Sequence, residues 1–211
     1  MERKTARRII SAFSIATLIF LLGLFIGESI MESKAKQILD MSEKVRLEIQ
    51  DLELQQALSS YDPCGKSYLN ILSAQLDEMG TKISFLEETL GKNDAQVLEL
   101  KKPYTMLMIR HYLLVKQRIE KCNENYITIL FFYSNKREYI TESEKQGYVL
   151  GYFADKYGYE KLKVYSIDAD LDLGVVKMLK EQYNITILPT TIINEKVFAG
   201  FTEKEKFEEY F

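Results

Sequence analysis

The sequence contains few of the residues from which metal sites and disulfide scaffolds are built. Its 211 residues include two cysteines, one histidine, three prolines and no tryptophan. Two cysteines are too few for a disulfide-dense scaffold or a structural zinc cluster. The single histidine, His111, excludes a site with several histidine ligands. We therefore predict no metal, and we expect His111 to be a surface or core residue.

An excess of charge of one sign is also lacking. The chain has 28 Lys and Arg against 31 Asp and Glu, a formal charge of −3. Because nonspecific nucleic-acid binding requires a basic face, we expect no nucleic-acid partner. The segment Gly65-Lys66-Ser67 is similar to the end of a phosphate-binding loop, but Ser60 stands where that loop requires glycine. No cofactor is predicted.

One long hydrophobic run stands near the start of the chain. Residues 9–27 contain no charged residue, and a helix of that length spans roughly 28 Å, close to the hydrocarbon core of a bilayer. Because positive charge stays cytoplasmic, we predict a single-pass protein of the cell membrane with a cytoplasmic N-terminus and an extracytoplasmic body. A cleaved signal peptide is the alternative, disfavoured because the run is longer than usual. The basic residues before the run are Arg3, Lys4, Arg7 and Arg8.

The middle of the chain, residues 29–122, has the pattern of a helical bundle or stalk. Apolar residues recur at spacings of three or four over 31–59, after Cys64, and again over 95–121. Gly80 should break the second of these runs, and Pro103 should kink or divide the last. We favour a coiled-coil-like hairpin packed within one chain. A plain stalk, a partner-binding groove and a dimerisation element that would make a homo-oligomer remain alternatives.

The two cysteines flank this helical region. Cys64 begins the second helical run and Cys122 ends the last one, so antiparallel packing would bring them to the same end of the bundle. Outside the cytoplasm such a pair is expected to form a disulfide. By closing a long loop, this bridge would stabilise the folded state by roughly 4 kcal/mol. The alternative is an active redox pair, disfavoured because the two lie far apart in sequence and lack the Cys-x-x-Cys form.

After Cys122 the pattern changes to buried strands alternating with helices. We predict strands over 126–133, 163–168, 190–193 and 196–199, and helices over about 141–157, 173–183 and 203–210. The element order is βαβαββα. The first two strands should be parallel, and the last two should form an antiparallel hairpin joined by Asn194-Glu195.

This C-terminal region, residues 123–211, resembles the thioredoxin family. The resemblance rests on Val164-Tyr165-Ser166-Ile167-Asp168 and on Ile187-Leu188-Pro189-Thr190-Thr191, and it covers about residues 125–211. It implies a thioredoxin-like fold in which Pro189 follows a cis peptide bond beside the active-site loop. In the family that loop also offers backbone groups to extended peptides.

The sequence departs from the family where thioredoxins carry Cys-x-x-Cys. That position reads Ser134-Asn135-Lys136-Arg137, and no cysteine occurs between 123 and 211. Without a thiolate, thiol–disulfide exchange cannot run inside this domain. We therefore predict a redox-inactive module without catalytic residues. The candidate binding residues are Ser134, Asn135, Lys136, Arg137, Leu188, Pro189 and Thr190.

Three functions remain open at this point. The leading one is a membrane-anchored scaffold or chaperone-like module that binds another protein or an extended peptide. The second is a thiol–disulfide oxidoreductase that uses Cys64 and Cys122, and the third is a simple membrane tether. The two cations Lys136 and Arg137 could also bind an anion or acidic peptide, although a solvated loop is the favoured interpretation. Asn184-Ile185-Thr186 is a glycosylation sequon.

Overall fold

The computed structural model describes residues 13, 15–21, 23, 50–51, 53–58 and 60–211. The chain divides into two compact units, Met1–Leu58 and Ser59–Phe211. In the first unit the described residues are helical. No helix among the described residues is both long and apolar enough to cross a bilayer. About half of the predicted span 9–27 falls outside the described residues, and the span stays a prediction, as do the domain boundaries at residues 28 and 122.

The second unit is built around a four-stranded mixed sheet in the order β2-β1-β3-β4. Its strands are β1 (Ile127–Tyr133), β2 (Leu162–Asp168), β3 (Thr190–Ile193) and β4 (Lys196–Ala199). The central strand β1 pairs in parallel with β2 and antiparallel with β3, and β3 pairs antiparallel with β4. The predicted mixed α/β architecture, the parallel first pair and the final hairpin are confirmed.

Two long helices precede the sheet, α1 (Ser67–Leu90) and α2 (Ala95–Cys122). The predicted break at Gly80 is wrong, because α1 continues through it. A Cβ added at Gly80 would lie 3.0 Å from the hydroxyl oxygen of Tyr104 on α2, so the glycine is explained by close helix packing. The sequence predicts that Pro103 kinks or divides the last helix: the division is wrong, since α2 continues through that residue as one helix, and the kink stays a prediction.

The remaining two helices of the second unit come between strands of the sheet in the sequence. Helix α3 (Ile140–Tyr157) connects β1 to β2, and α4 (Gly174–Gln182) lies between β2 and β3. The predicted last helix, 203–210, is wrong. Two 3-10 turns, Lys204–Lys206 and Glu208–Tyr210, take its place. The fully buried Phe207 between them packs against Phe153 and Phe198, so aromatic packing anchors a segment whose backbone hydrogen bonds are of the 3-10 type.

The core consists of two clusters, one on each face of the sheet. On one face Leu130, Phe132 and Ile167 pack with residues of α2 and α4, including Met108 and Leu179. On the other face a second cluster is formed with α3 and the C-terminal turns. Its buried members are Ile129, Phe131, Leu150, Phe153, Ala154, Leu162, Ile193 and Phe207. Successive side chains of β1 point to opposite faces of the sheet, so the strand contributes residues to both clusters. This explains why its sequence is almost continuously apolar.

The single histidine lies in the first of these cores as a neutral residue. His111 is 3% exposed, and its ring nitrogens contact Ser73 Oγ at 2.9 Å and the Tyr165 hydroxyl at 2.8 Å. Burial, followed by the nearby charge of Lys163, lowers the pKa of His111 from 6.5 to about 4. The sequence-based expectation of a core or surface residue is thereby resolved in favour of the core.

We expect His111 to make folding stability pH-dependent. Its pKa is lower in the folded than in the unfolded state, so the unfolded chain binds the extra proton between about pH 6.5 and 4. Stability is therefore present above that window and falls by about 3 kcal/mol as the pH drops through it. Urea unfolding of wild type and His111→Gln at several pH values checks this. Parallel pH profiles of the two proteins would contradict it.

Candidate functional site

The carboxyl end of β1 lies beside the loop that carries the cis-proline. The Leu188–Pro189 bond is cis, as the sequence predicts. Phe132 pairs with Thr190, which puts Pro189 next to the last residue of β1. Gly200 donates a backbone hydrogen bond of 2.8 Å to the Pro189 carbonyl, so the residues after β4 border the same loop. This group of loops is the candidate site.

Ser134 and Asn135 line the base of this site but are buried. The Ser134 hydroxyl donates to Asp170 Oδ2 at 2.6 Å and accepts from the backbone N–H of Lys136 at 3.1 Å. The Asn135 side-chain amide donates to Asp168 Oδ2 at 3.2 Å. Both residues are therefore engaged in holding the loop after β1 against the end of β2. Their side chains are positioned to support a surface and not to form it.

Lys136 and Arg137 are the exposed members of the same loop. Lys136 Nζ lies 2.6 Å from Asp170 Oδ1, and this hydrogen bond raises the pKa of the Lys136 ammonium. Asp170 therefore neutralises the first cation. No ion pair joins Arg137 to another residue of the described segment 60–211, and its side chain is exposed. Arg137 is the cation that remains available to a ligand.

Exposed apolar side chains flank the cis-proline loop. Ile187 is 54% exposed immediately before the cis-proline loop, and Phe201 is 39% exposed immediately after Gly200. Leu188 is half-buried and packs against the core. Sequence reasoning missed Ile187 and Phe201, although their apolar side chains beside Pro189 and Gly200 were the available signal.

The seven predicted binding residues thus divide by exposure. Ser134, Asn135, Pro189 and Thr190 are buried, Leu188 is half-buried, and only Lys136 and Arg137 are exposed. The Thr190 hydroxyl donates to the Ile187 carbonyl at 2.6 Å, which fixes the shape of the loop. The three predicted residues that are not buried, Lys136, Arg137 and Leu188, together with the newly found Ile187 and Phe201, define what we call the β1-end surface.

The two cysteines lie at the other end of β1. Cys64 and Cys122 are joined by a disulfide with a separation of 58 residues, so the predicted pairing is present. Cys122 precedes the amino end of β1, while the cis-proline loop adjoins its carboxyl end. Seven extended residues span about 20 Å. The disulfide is therefore remote from the β1-end surface.

The sequon residue Asn184 lies in the turn between α4 and β3. Its side chain is exposed, its φ is 50°, and its backbone N–H donates to the Glu181 carbonyl. The next residue, Ile185, is buried. Glycosylation of Asn184 stays a prediction. Among the described residues, no group of three or more His, Cys, Asp or Glu side chains is arranged to hold a metal ion.

The chain matches no protein-family model and no curated protein sequence. Solved structures that are similar to part of it include the following two. One, described as the structure of a malarial protein, is 18% identical with a TM-score of 0.32, covering 41% of this chain and 93% of that one. The germline-specific thioredoxin Deadhead from Drosophila melanogaster is 22% identical with a TM-score of 0.33, covering 46% of this chain and 89% of that one.

Proposed function

We propose that residues 123–211 form a thioredoxin-like binding module that does not exchange disulfides. The order of strands and helices and the cis bond before Pro189 support a thioredoxin-like fold. One observation carries the functional part of the proposal. At the end of β1, where exchange needs a thiolate, the chain has buried Ser134 and Asn135, and its two cysteines are bonded to each other beyond the opposite end of that strand.

The β1-end surface favours a peptide with acidic and apolar side chains. Arg137 supplies an exposed guanidinium, which binds carboxylates through two parallel hydrogen bonds. Ile187 and Phe201 supply exposed apolar area next to the cis-proline loop, and burying such area is favourable at roughly 25 cal/mol per Å². The partner would therefore be an extended segment of another protein in which an acidic residue neighbours a large apolar one.

In this proposal the module lies outside the cell membrane, and residues 9–27 anchor it to the membrane. The uncharged run and the basic residues before it support that orientation. A module held at a membrane and able to bind an extended segment fits a scaffold or chaperone-like role. A bare tether would need no binding surface, which distinguishes it from the proposal.

Titration with defined peptides tests the proposed binding surface. The probe is a short peptide alternating glutamate and leucine, and its control alternates lysine and leucine. We expect Arg137→Glu and Ile187→Ser each to weaken binding of the acidic peptide about tenfold or more, since each removes a direct contact. Isothermal titration of the full chain in detergent measures both affinities.

Two matched variants complete this experiment. Lys121→Glu makes the same charge change at the disulfide end of the unit, and Leu113→Ser removes an exposed apolar side chain from α2. Neither should change the affinity. Equal binding of both peptides, or equal losses in the site and control variants, would contradict the proposed surface and leave the tether as the better account.

A further inference from the structure

A polar cavity opens at the carboxyl ends of the two parallel strands, between α1 and α2. Its volume is about 420 Å³, and Tyr133 and Asp168, the last residues of β1 and β2, are among its lining residues. Pockets for small molecules have volumes of about 300–1,000 Å³. In open α/β sheets, ligands bind in the crevice outside the carboxyl ends of the strands, which is where this cavity lies.

The inner wall of the cavity holds a buried lysine between two carboxylates. Lys101 is 4% exposed, and its Nζ lies 2.6 Å from Glu87 Oε1 and 3.5 Å from Asp168 Oδ2. The Lys101 ammonium also lies 5.6 Å from the centre of the Tyr133 ring. An ammonium group is thus already accommodated here by carboxylates and an aromatic ring. The wall is chemically suited to a cation.

The carboxylates of the cavity outnumber its cation. Asp168 is fully engaged, because it also accepts hydrogen bonds from the Asn135 side chain and from the backbone N–H of Asp170. Glu87 is only partly buried, and Asp77 on α1 adds a third carboxylate at the exposed edge of the cavity. Three carboxylates against Lys101 leave the cavity with a net negative charge.

The carboxylates of the cavity contribute to raised pKa values of two tyrosines in its lining. Burial, followed by the charges of Asp77 and Glu87, raises the pKa of Tyr104. Burial, followed by the charge of Asp168, raises the pKa of Tyr133. The tyrosines stay neutral, and their ring faces can add cation–π attraction to that of the carboxylates.

We propose that this cavity binds a small organic cation, namely a primary ammonium or guanidinium group on a short apolar stem. Its head would lie against Glu87, with the Tyr104 ring beside it, while Asp77, ten residues earlier on α1, adds attraction from a greater distance. Charge-assisted hydrogen bonds to carboxylates supply the attraction, and the apolar residues Leu76 and Ile83 in the lining receive the stem. No residue of the β1-end surface lines this cavity, and ligand binding in the cavity does not depend on the proposed function.

Calorimetric titration of the full chain tests the cavity proposal with two cationic probes, butylammonium and agmatine, and with neutral butanol. Both cations should bind saturably and butanol should not. Glu87→Gln should weaken cation binding about tenfold, because it removes the charge but retains a hydrogen-bonding group for Lys101. The neighbouring exposed Glu88→Gln has the same charge change and should leave binding unaltered.

A blocking variant keeps the test decisive if Glu87→Gln fails to fold. Ser84 lines the cavity and is exposed, so Ser84→Phe should abolish binding without any change of charge. N-acetyl-lysine methylamide distinguishes the sources of the cation. If it binds as butylammonium does, lysine side chains of peptides are ligands. If only butylammonium and agmatine bind, the ligands are free amines. Absence of saturable binding, equal losses in the Glu87 and Glu88 variants, or undiminished binding to Ser84→Phe would each overturn the proposal.

Discussion

Replacing Arg118 by alanine will destabilise the folded protein by about 4 kcal/mol, the range found when one partner of a buried ion pair is removed. Arg118 is completely buried on α2. Its guanidinium donates to the carbonyl oxygens of Pro63, Cys64 and Gly65 at 3.3, 3.0 and 2.7 Å. It also donates through two nitrogens to the carboxylate of Glu124. No other residue type supplies so many donors in one rigid group.

The loss comes from the groups that Arg118 leaves behind. Without it, three backbone carbonyls and the Glu124 carboxylate lose a buried donor, and each unsatisfied group costs about 1–3 kcal/mol. Arg118→Lys should recover only a part of the stability, because an ammonium cannot reach all of these acceptors in the same plane. Urea unfolding measures the difference. Lys121→Ala, on an exposed residue one turn away, is the control and should stay within about 0.5 kcal/mol of wild type.

A small effect would contradict this interpretation of Arg118. If Arg118→Ala unfolds within about 1 kcal/mol of wild type, water must replace the guanidinium at this site. The disulfide would then be the main link between the segment before α1 and the end of α2.

Removal of the disulfide is expected to be the second large loss. The Cys64→Ala/Cys122→Ala double variant should lose about 4 kcal/mol, because the bridge closes a loop of 58 residues and restricts the unfolded chain. Wild type treated with a strong reductant should show the same loss. Unfolding curves of both proteins, with and without reductant, measure it, and the double variant should not respond to reductant.

The two losses should not be additive. Arg118 holds the backbone of Cys64, so both interactions fix the same segment at the start of α1, and neighbouring interactions of this kind couple. The triple variant should therefore be less destabilised than the sum of the separate losses. Full additivity would show that the two interactions are not coupled, and a double variant as stable as wild type would show that the bridge does not act as a structural link.

The strands and the first two helices of the C-terminal region followed from local sequence. Runs of β-branched and aromatic residues mark β1 and β3, and the Asn194-Glu195 turn falls where the two short strands meet. The helices were harder to bound. Gly80 and Pro103 predict helix breaks because both residues have low helix propensity. Packing of α1 against α2 outweighs these propensities. The contact between Gly80 and Tyr104 cannot be predicted from the sequence around either residue.

The site was less predictable because its contacts join distant parts of the chain. Ser134 and Asn135 read as exposed loop residues, but their partners Asp170 and Asp168 follow or end β2, more than thirty positions later. Lys101 reads as an ordinary surface lysine on a helix, and its partner Asp168 is 67 positions away. Buried polar side chains are satisfied through tertiary structure, so periodicity could not identify them.

The proposed role as a binding module depends most on the absence of thiol chemistry at the end of β1. One assay tests that absence directly. Disulfide reduction of insulin by the full chain, with dithiothreitol as electron donor, is compared with the Cys64→Ala/Cys122→Ala variant at equal concentration. We predict identical rates, neither above that of dithiothreitol alone, and no thiol that reacts in the folded, unreduced protein. A wild-type rate above that of the variant would contradict the account, because it would show that the bonded cysteines take part in exchange.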